Sequence, residues 1–198
     1  NNNMIQYPTK RKPVQSQGVS TKNRGMSLEH DLNITNEYYR VHEIANVHKK
    51  PTPVQVVSVS YPSRNLAKIT EAYYKTPSTT DYNGIYLGTY IDFEAKEVTD
   101  MHRFSFGRIH LHQIEHLRSI VRHNGCAFLI IRFIKHDQTF FVPFEKFDLE
   151  FKTTTRRSIP LAWFQSECVI IQHEFTPPID YLPHVQQWIK EQHEKRHQ

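Results

Sequence analysis

The stretch from Thr79 to Lys96 constrains the fold more than any other part of the chain. It reads Thr79-Thr80-Asp81-Tyr82-Asn83-Gly84-Ile85-Tyr86-Leu87-Gly88-Thr89-Tyr90-Ile91-Asp92-Phe93-Glu94-Ala95-Lys96. β-Branched and aromatic residues fall into two runs with turn dipeptides between them, which suits a β-hairpin and not a helix. Two turn positions compete. Asn83-Gly84 has the stronger intrinsic preference, but folding there leaves a short first arm against a second arm that runs through Ala95. A turn at Leu87-Gly88 balances the arms, although Leu fits poorly where the backbone prefers positive φ. With that turn Tyr86 faces Thr89, Tyr82 faces Phe93, Asp81 faces Glu94 and Thr79 faces Lys96.

This register has a chemical consequence. Directly opposed residues have Cβ atoms about 4.5–5.5 Å apart, and period-two alternation puts Thr79, Asp81, Glu94 and Lys96 on one face. Two opposed carboxylates repel, and a divalent cation relieves the repulsion. Oxygen donors without clustered cysteines select Mg2+ or Mn2+ over zinc. Lys96 can then set a positive charge beside a reacting phosphate. Asp92 shares the Glu94 face as a rival ligand, Glu97 points away, and Tyr82, Ile91, Phe93 and Ala95 form the buried side.

The remaining pattern mixes strands and helices, so the expected fold class is α/β with a central mixed β-sheet flanked by helices. Ser27 is the expected N-cap of a helix reaching about Val41, with Leu28, Leu32, Thr35 and Tyr39 on its apolar line and Glu29 off it. Ile44 to His48 and Val54 to Val59 read as strands, and Tyr61 to Pro77 as a projecting segment. A helix from about Ile109 to His123 carries Ile114, Leu117, Ile120 and Val121 on one side and closes at Gly125. Ala127 to Phe133 and Thr139 to Val142 read as a hairpin, Cys168 to His173 as a strand, and Tyr181 to about Lys195 as a terminal helix. His112 and His116 stand one helical turn apart, but with no third ligand they are expected to be structural or solvent-exposed.

Charge is unevenly placed. The chain has 198 residues and a net charge of +5, from 25 basic and 20 acidic residues. Five cations, Lys10, Arg11, Lys12, Lys22 and Arg24, precede the first acid, Glu29, leaving 20 of each sign beyond them. Residues 1–22 are therefore expected to be a flexible basic arm able to neutralise phosphates, and residues 23–198 a single domain. From Lys49 to Lys75 the cations Lys49, Lys50, Arg64, Lys68 and Lys75 meet only Glu71, with Tyr61, Tyr73 and Tyr74 interleaved, a mixture suited to nucleic acid. The longest apolar run, Cys126 to Ile131, is far too short to cross a bilayer, so no membrane span is expected. The two cysteines, Cys126 and Cys168, read as buried thiols of a reducing, cytoplasmic compartment.

The Asp81…Glu94-Ala95-Lys96 pattern resembles the Asp-(x)n-Glu-x-Lys nuclease superfamily, and longer runs resemble the RecU family of Holliday junction resolvases. These runs include Asn23-Arg24-Gly25-Met26-Ser27-Leu28-Glu29, Val47-His48-Lys49-Lys50-Pro51-Thr52-Pro53-Val54-Gln55 and Tyr90-Ile91-Asp92-Phe93-Glu94-Ala95-Lys96-Glu97. The chain departs from the family within Phe104-Ser105-Phe106-Gly107, where the proline of a Ser-Phe-Pro stretch is replaced. The resemblance implies a restriction-endonuclease-like core and a stalk, about residues 61–77, that enters the junction centre. It implies metal binding at Thr79, Asp81, Glu94 and Gln113, with Lys96 stabilising the transition state and Glu29 as an acidic residue near the site. It implies Mg2+, with Mn2+ as substitute, four-way junction DNA as substrate, a homodimer, and a recombinase or branch-migration helicase as further partner. Two other readings share these residues: a non-catalytic protein that binds branched DNA, and a restriction-type nuclease acting on linear duplex.

Overall fold

The computed structural model describes residues 26–75 and 79–196, so the expected arm, with Lys10, Arg11, Lys12, Lys22 and Arg24, lies outside the described residues. Ser27 opens helix α1 (Leu28–Val41): its hydroxyl accepts the His30 N–H at 3.2 Å, and Glu29 and Asp31 put negative charge in the first turn, where the helix dipole favours it. Strands β1 (Asn46–Lys49), β2 (Val54–Ser63), β3 (Leu66–Tyr74), β4 (Tyr82–Tyr86), β5 (Thr89–Val98) and β6 (Arg103–Ser105) follow. Then come α2 (Leu111–Arg122), β7 (Cys126–Phe133), β8 (Gln138–Pro143), α3 (Phe144–Thr153), β9 (Ser158–Pro160), α4 (Leu161–Glu167), β10 (Val169–Ile170) and α5 (Leu182–Arg196).

Six strands form one mixed sheet in the order β1-β4-β5-β7-β8-β10. Its one parallel pair is β5 with β7, and the chain crosses between them through α2. Strand β7, which contains the longest apolar run, is buried at every residue because both faces of the sheet are covered. On one face Ile91, Phe93 and Phe128 pack against Leu28, Leu32 and Tyr39 of α1 and against Leu182 and Val185 of α5. On the other, Leu129, Ile131 and Phe140 pack against Ile114 and Leu117 of α2, Phe144 and Phe147 of α3, and Phe164 of α4. The expected fold class, a mixed sheet flanked by helices, is the observed one.

The β4–β5 hairpin has the register expected from a turn at Leu87-Gly88, with Tyr86 opposite Thr89 and Tyr82 opposite Phe93. Leu87 and Gly88 have φ of 48° and 75°, the paired positive values of a type I′ turn. Asn83-Gly84 lies inside β4 instead, and its glycine serves a different end: a Cβ on Gly84 would come within 2.6 Å of the Val47 Cα in β1. Strand β4 begins only at Tyr82, so the expected strand from Thr79 is shorter than its sequence suggested, and Thr79 and Thr80 approach the sheet in irregular conformation.

Other boundaries also differ. Strands β2 and β3 pair with each other apart from the main sheet and are exposed along their whole length, so the projection starts at Val54 rather than Tyr61. Val56-Val57 breaks the alternation that would select one buried face, and no helix covers either side. The expected strand over Cys168 to His173 shrinks to Val169–Ile170. Between them, Phe144 to Glu167 forms α3, β9 and α4, which periodicity had not resolved.

Candidate active site

Pairing between β4 and β5 ends at Tyr82 opposite Phe93, so β5 continues from Glu94 to Val98 without a strand partner on that edge. Residues 79–81 pass beside this opening. The Asp81 N–H donates to Glu94 Oε2 at 3.1 Å, and the Asp81 carbonyl accepts the Lys50 N–H at 2.7 Å. Asp81 thus meets Glu94 through its backbone, beyond the end of the ladder that the expected register extended to this pair, with Asp81 half-buried and Glu94 buried.

The polar face of the hairpin is not the solvated surface that alternation implied. Helix α2 lies over it, and Gln113 Nε2 donates to Glu94 Oε2 at 3.1 Å. Lys96 Nζ stands 2.9 Å from Glu94 Oε1 as an ion pair. This buried oxygen has no partner other than the Lys96 ammonium among the described residues. Burial pushes the Glu94 carboxyl up to about 7; Lys96 opposes that rise and Asp81 adds to it. Here a buried carboxylate, met on Oε1 by Lys96 alone, lies beside a second acid.

Gln113 reaches the site with its amide nitrogen. Its Oε1 accepts the His110 N–H at 3.1 Å at the start of α2, so the oxygen expected to ligate metal is used in capping the helix. Thr79 is half-buried, and its hydroxyl lies 3.4 Å from the Thr80 carbonyl rather than on either acid. Glu29 is exposed and paired with the Lys49 ammonium. These two charges therefore neutralise each other near the start of α1.

A support that the sequence did not reveal lies beneath the site. Asp92, fully buried on β5, is bonded by the Thr80 hydroxyl, by Tyr90 Oη at 2.8 Å and by Lys50 Nζ at 3.0 Å, and it lies 2.9 Å from His116 Nε2. Lys50 Nζ also donates to Thr80 Oγ1 at 3.1 Å. Thr80 sits between Thr79 and Asp81, so these bonds pin the segment that carries both. Lys50, expected to contact phosphate, is bonded here to Thr80 and Asp92, and the rival ligand Asp92 is engaged by four side chains. His116 belongs to this support, as its expected structural role implies. The one sequence signal for the cluster was the shared face of Asp92 and Glu94; Thr80, Tyr90 and Lys50 come to it through topology.

The donor set fits a hard divalent cation. Glu94 Oε1 has no partner but the Lys96 ammonium among the described residues, and Asp81 adds a second carboxylate. Among the described residues no three His, Cys, Asp or Glu side chains form a metal-binding group.

Arg64, Lys68 and Lys75 are exposed and form no ion pair among the described residues. The first two lie on the β2–β3 projection and Lys75 at its base.

Comparison with known proteins bears on this site. The family model described as recombination protein U matches residues 23–187. The Holliday junction resolvase RecU of Listeria monocytogenes serotype 4a (strain HCC23) is 49% identical over 167 residues, covering 83% of each chain. That of Bacillus mycoides (strain KBAB4) is 49% identical over 164 residues, covering 81% of this chain and 82% of its own. Among solved structures, the Holliday junction resolvase Hjc of Archaeoglobus fulgidus aligns with a TM-score of 0.41 at 12% identity, over 71% of this chain and 95% of its own, a likeness too distant to bear on function. By the model match across the domain and by near-half identity along it, this chain belongs to the recombination protein U family, the family of the RecU resolvases named above, and with them to the endodeoxyribonucleases.

Proposed function

We propose that the protein is a Mg2+-dependent endodeoxyribonuclease that resolves Holliday junctions by paired symmetric nicks, two copies acting as a homodimer. The observation that carries this reading is the buried Glu94 carboxylate, held against Asp81 with the Lys96 ammonium 2.9 Å from its Oε1. Asp81 and Glu94 would hold the cation, with Thr79 and Gln113 as neutral oxygen donors. Gln113 joins only if its amide turns over and releases the His110 N–H. When bound, Mg2+ supplies charge neutralisation at the scissile phosphate and acidifies a water.

The chain's own groups do the rest. Lys96 presents its ammonium at the open edge of β5, where it meets charge that builds on phosphate oxygens during hydrolysis. Asp92 and Lys50 hold Thr80, and with it residues 79–81, against β5. Helix α2 covers the acids and keeps bulk water from the buried side. The exposed β2–β3 projection carries Arg64 and Lys68 away from the main sheet, as a wedge into a junction centre must. Lys10, Arg11, Lys12, Lys22 and Arg24 are further candidates for phosphate contact.

One hairpin supplies one set of acids, whereas resolution needs two cuts on strands of like polarity. A two-fold dimer matches that need. No helix among the described residues is long and apolar enough to cross a membrane, and the proposed place of action is the cytoplasmic nucleoid, with a recombinase or branch-migration helicase as partner. The experiment that tests this reading sets labelled four-way junction against linear duplex at fixed salt and Mg2+. The junction should be nicked symmetrically and outcompete the duplex; equal use of both would favour a restriction-type nuclease.

A further inference from the structure

Beyond Val98 the chain turns through Asp100 and enters β6, which pairs with β9 in a small separate sheet. Phe104 and Ile159 face the core from this sheet, and the residues beside them face out. There, a concavity of about 530 Å³ is lined by Asp100, His102, Arg103, Arg156, Ser158 and Pro160. Arg157 adjoins it, since its carbonyl accepts the Phe106 N–H at 3.1 Å.

These arginines differ from those that hold the fold together. Arg118 binds Asp148 through two nitrogens, and Arg132 binds the buried Asp31. By contrast Arg156 and Arg157 form no ion pair among the described residues, and Arg103 meets only Asp100, at 3.6 Å and largely in solvent. An exposed pair of that kind contributes little to stability. Arg108 donates to the Glu97 carbonyl at 2.7 Å, on the edge of β5 that lacks a strand partner, and so links this surface to the site. Of these four guanidinium groups only that of Arg103 meets a carboxylate among the described residues.

Position adds to charge. Asp100 lies four residue steps beyond Lys96, a span of at most about 14 Å. At 3.4 Å of axis per phosphate along one strand, that is about four nucleotide steps. A backbone whose scissile phosphate lies at Lys96 therefore reaches the concavity without bending far. Guanidinium groups with free forks suit phosphate oxygens.

We propose that Arg103 and Arg156, at the mouth of this concavity, grip the phosphate backbone of the duplex arm that flanks the cleaved position. This proposal rests on the nuclease reading above. The arm is common to a junction and to a linear duplex, whereas the β2–β3 projection has a place only at a crossover. The two surfaces are therefore separable by substrate.

The test uses the full chain without metal, so that binding is read apart from cleavage. Dissociation constants for a four-way junction and a linear duplex are measured across a salt series for wild type, Arg103→Ala/Arg156→Ala and Arg103→Lys/Arg156→Lys. Thermal unfolding of each variant confirms the fold, and Arg156→Ala alone serves if the double alanine variant is unstable. The double alanine variant should show a log K against log[salt] slope shallower by about 1.8 on both substrates, at about 0.9 per phosphate, and the lysine variant should restore most of it. Arg156→Ala alone should show half that change. An unchanged slope, or a loss confined to the junction, overturns the proposal. Failure of wild type to nick the junction with Mg2+ would overturn the proposed function instead, and would leave this binding result standing.

Discussion

Lys96 Nζ lies 2.9 Å from Glu94 Oε1 and is the one partner of that buried oxygen among the described residues. The Lys96 side chain is 25% exposed, so its ammonium can also meet a group that arrives at the open edge of β5. Lys96→Ala should therefore lower kcat by about 10²–10³-fold, the scale for losing one transition-state donor. Junction affinity should stay close to wild type. Single-turnover cleavage and a metal-free binding titration separate the two, and full turnover by the variant would make Lys96 structural.

The Asp92 cluster predicts a stability effect distinct from the catalytic one. Asp92→Ala leaves the Lys50 ammonium without its carboxylate and the Thr80 hydroxyl without its acceptor. Removing one partner of a buried pair costs about 3–5 kcal/mol. Because the Lys50 side chain is 19% exposed, the lower end of that range applies. The denaturation midpoint checks it, and a change below about 0.5 kcal/mol, the level of an ordinary surface substitution, would mean the cluster supports nothing.

Leu87 holds φ of 48° in the turn, a left-handed conformation that costs a branched side chain about 1–2 kcal/mol. Leu87→Asn makes the dipeptide Asn-Gly, which prefers this turn. The chain should gain about 1 kcal/mol, seen as a rise in Tm of about 2–4 °C at this size. A fall in Tm would show that Leu87 contributes through contacts instead.

Neutralising Arg64, Lys68 and Lys75 together should weaken four-way junction binding more than linear-duplex binding, because only the junction presents strands at a projecting hairpin. Competition binding with both DNAs measures the difference. Equal loss on the two substrates would place these cations on a duplex arm.

The hairpin could be read from sequence because its information is local. Arm length outweighed dipeptide preference, and the register of Tyr82 on Phe93 followed from the turn alone. The apolar line of α1 was equally legible, since Leu28, Leu32, Thr35 and Tyr39 repeat at helical spacing and are all buried. What sequence could not supply was the second cover of the sheet. Alternation put Asp92 and Glu94 on the face opposite the apolar one, and the crossover through α2 explains why both are buried. Lys50 shows the same limit: its neighbours are basic in sequence, but its partners Thr80 and Asp92 lie 30 and 42 residues away. Phe144 to Glu167 resisted reading because closely spaced aromatics serve strand and helix alike, and their partners come from distant elements.

The central claim, that Asp81 and Glu94 form the metal-dependent cutting centre of a junction resolvase, is tested most directly by cleavage of a labelled four-way junction. Wild type with Mg2+ should convert it to nicked duplexes cut at symmetric positions, and removal of Mg2+ by chelation should stop the reaction. Asp81→Asn and Glu94→Gln should bind the junction and produce no cuts. Wild-type turnover without a divalent ion, or full cleavage by either variant, would contradict the account.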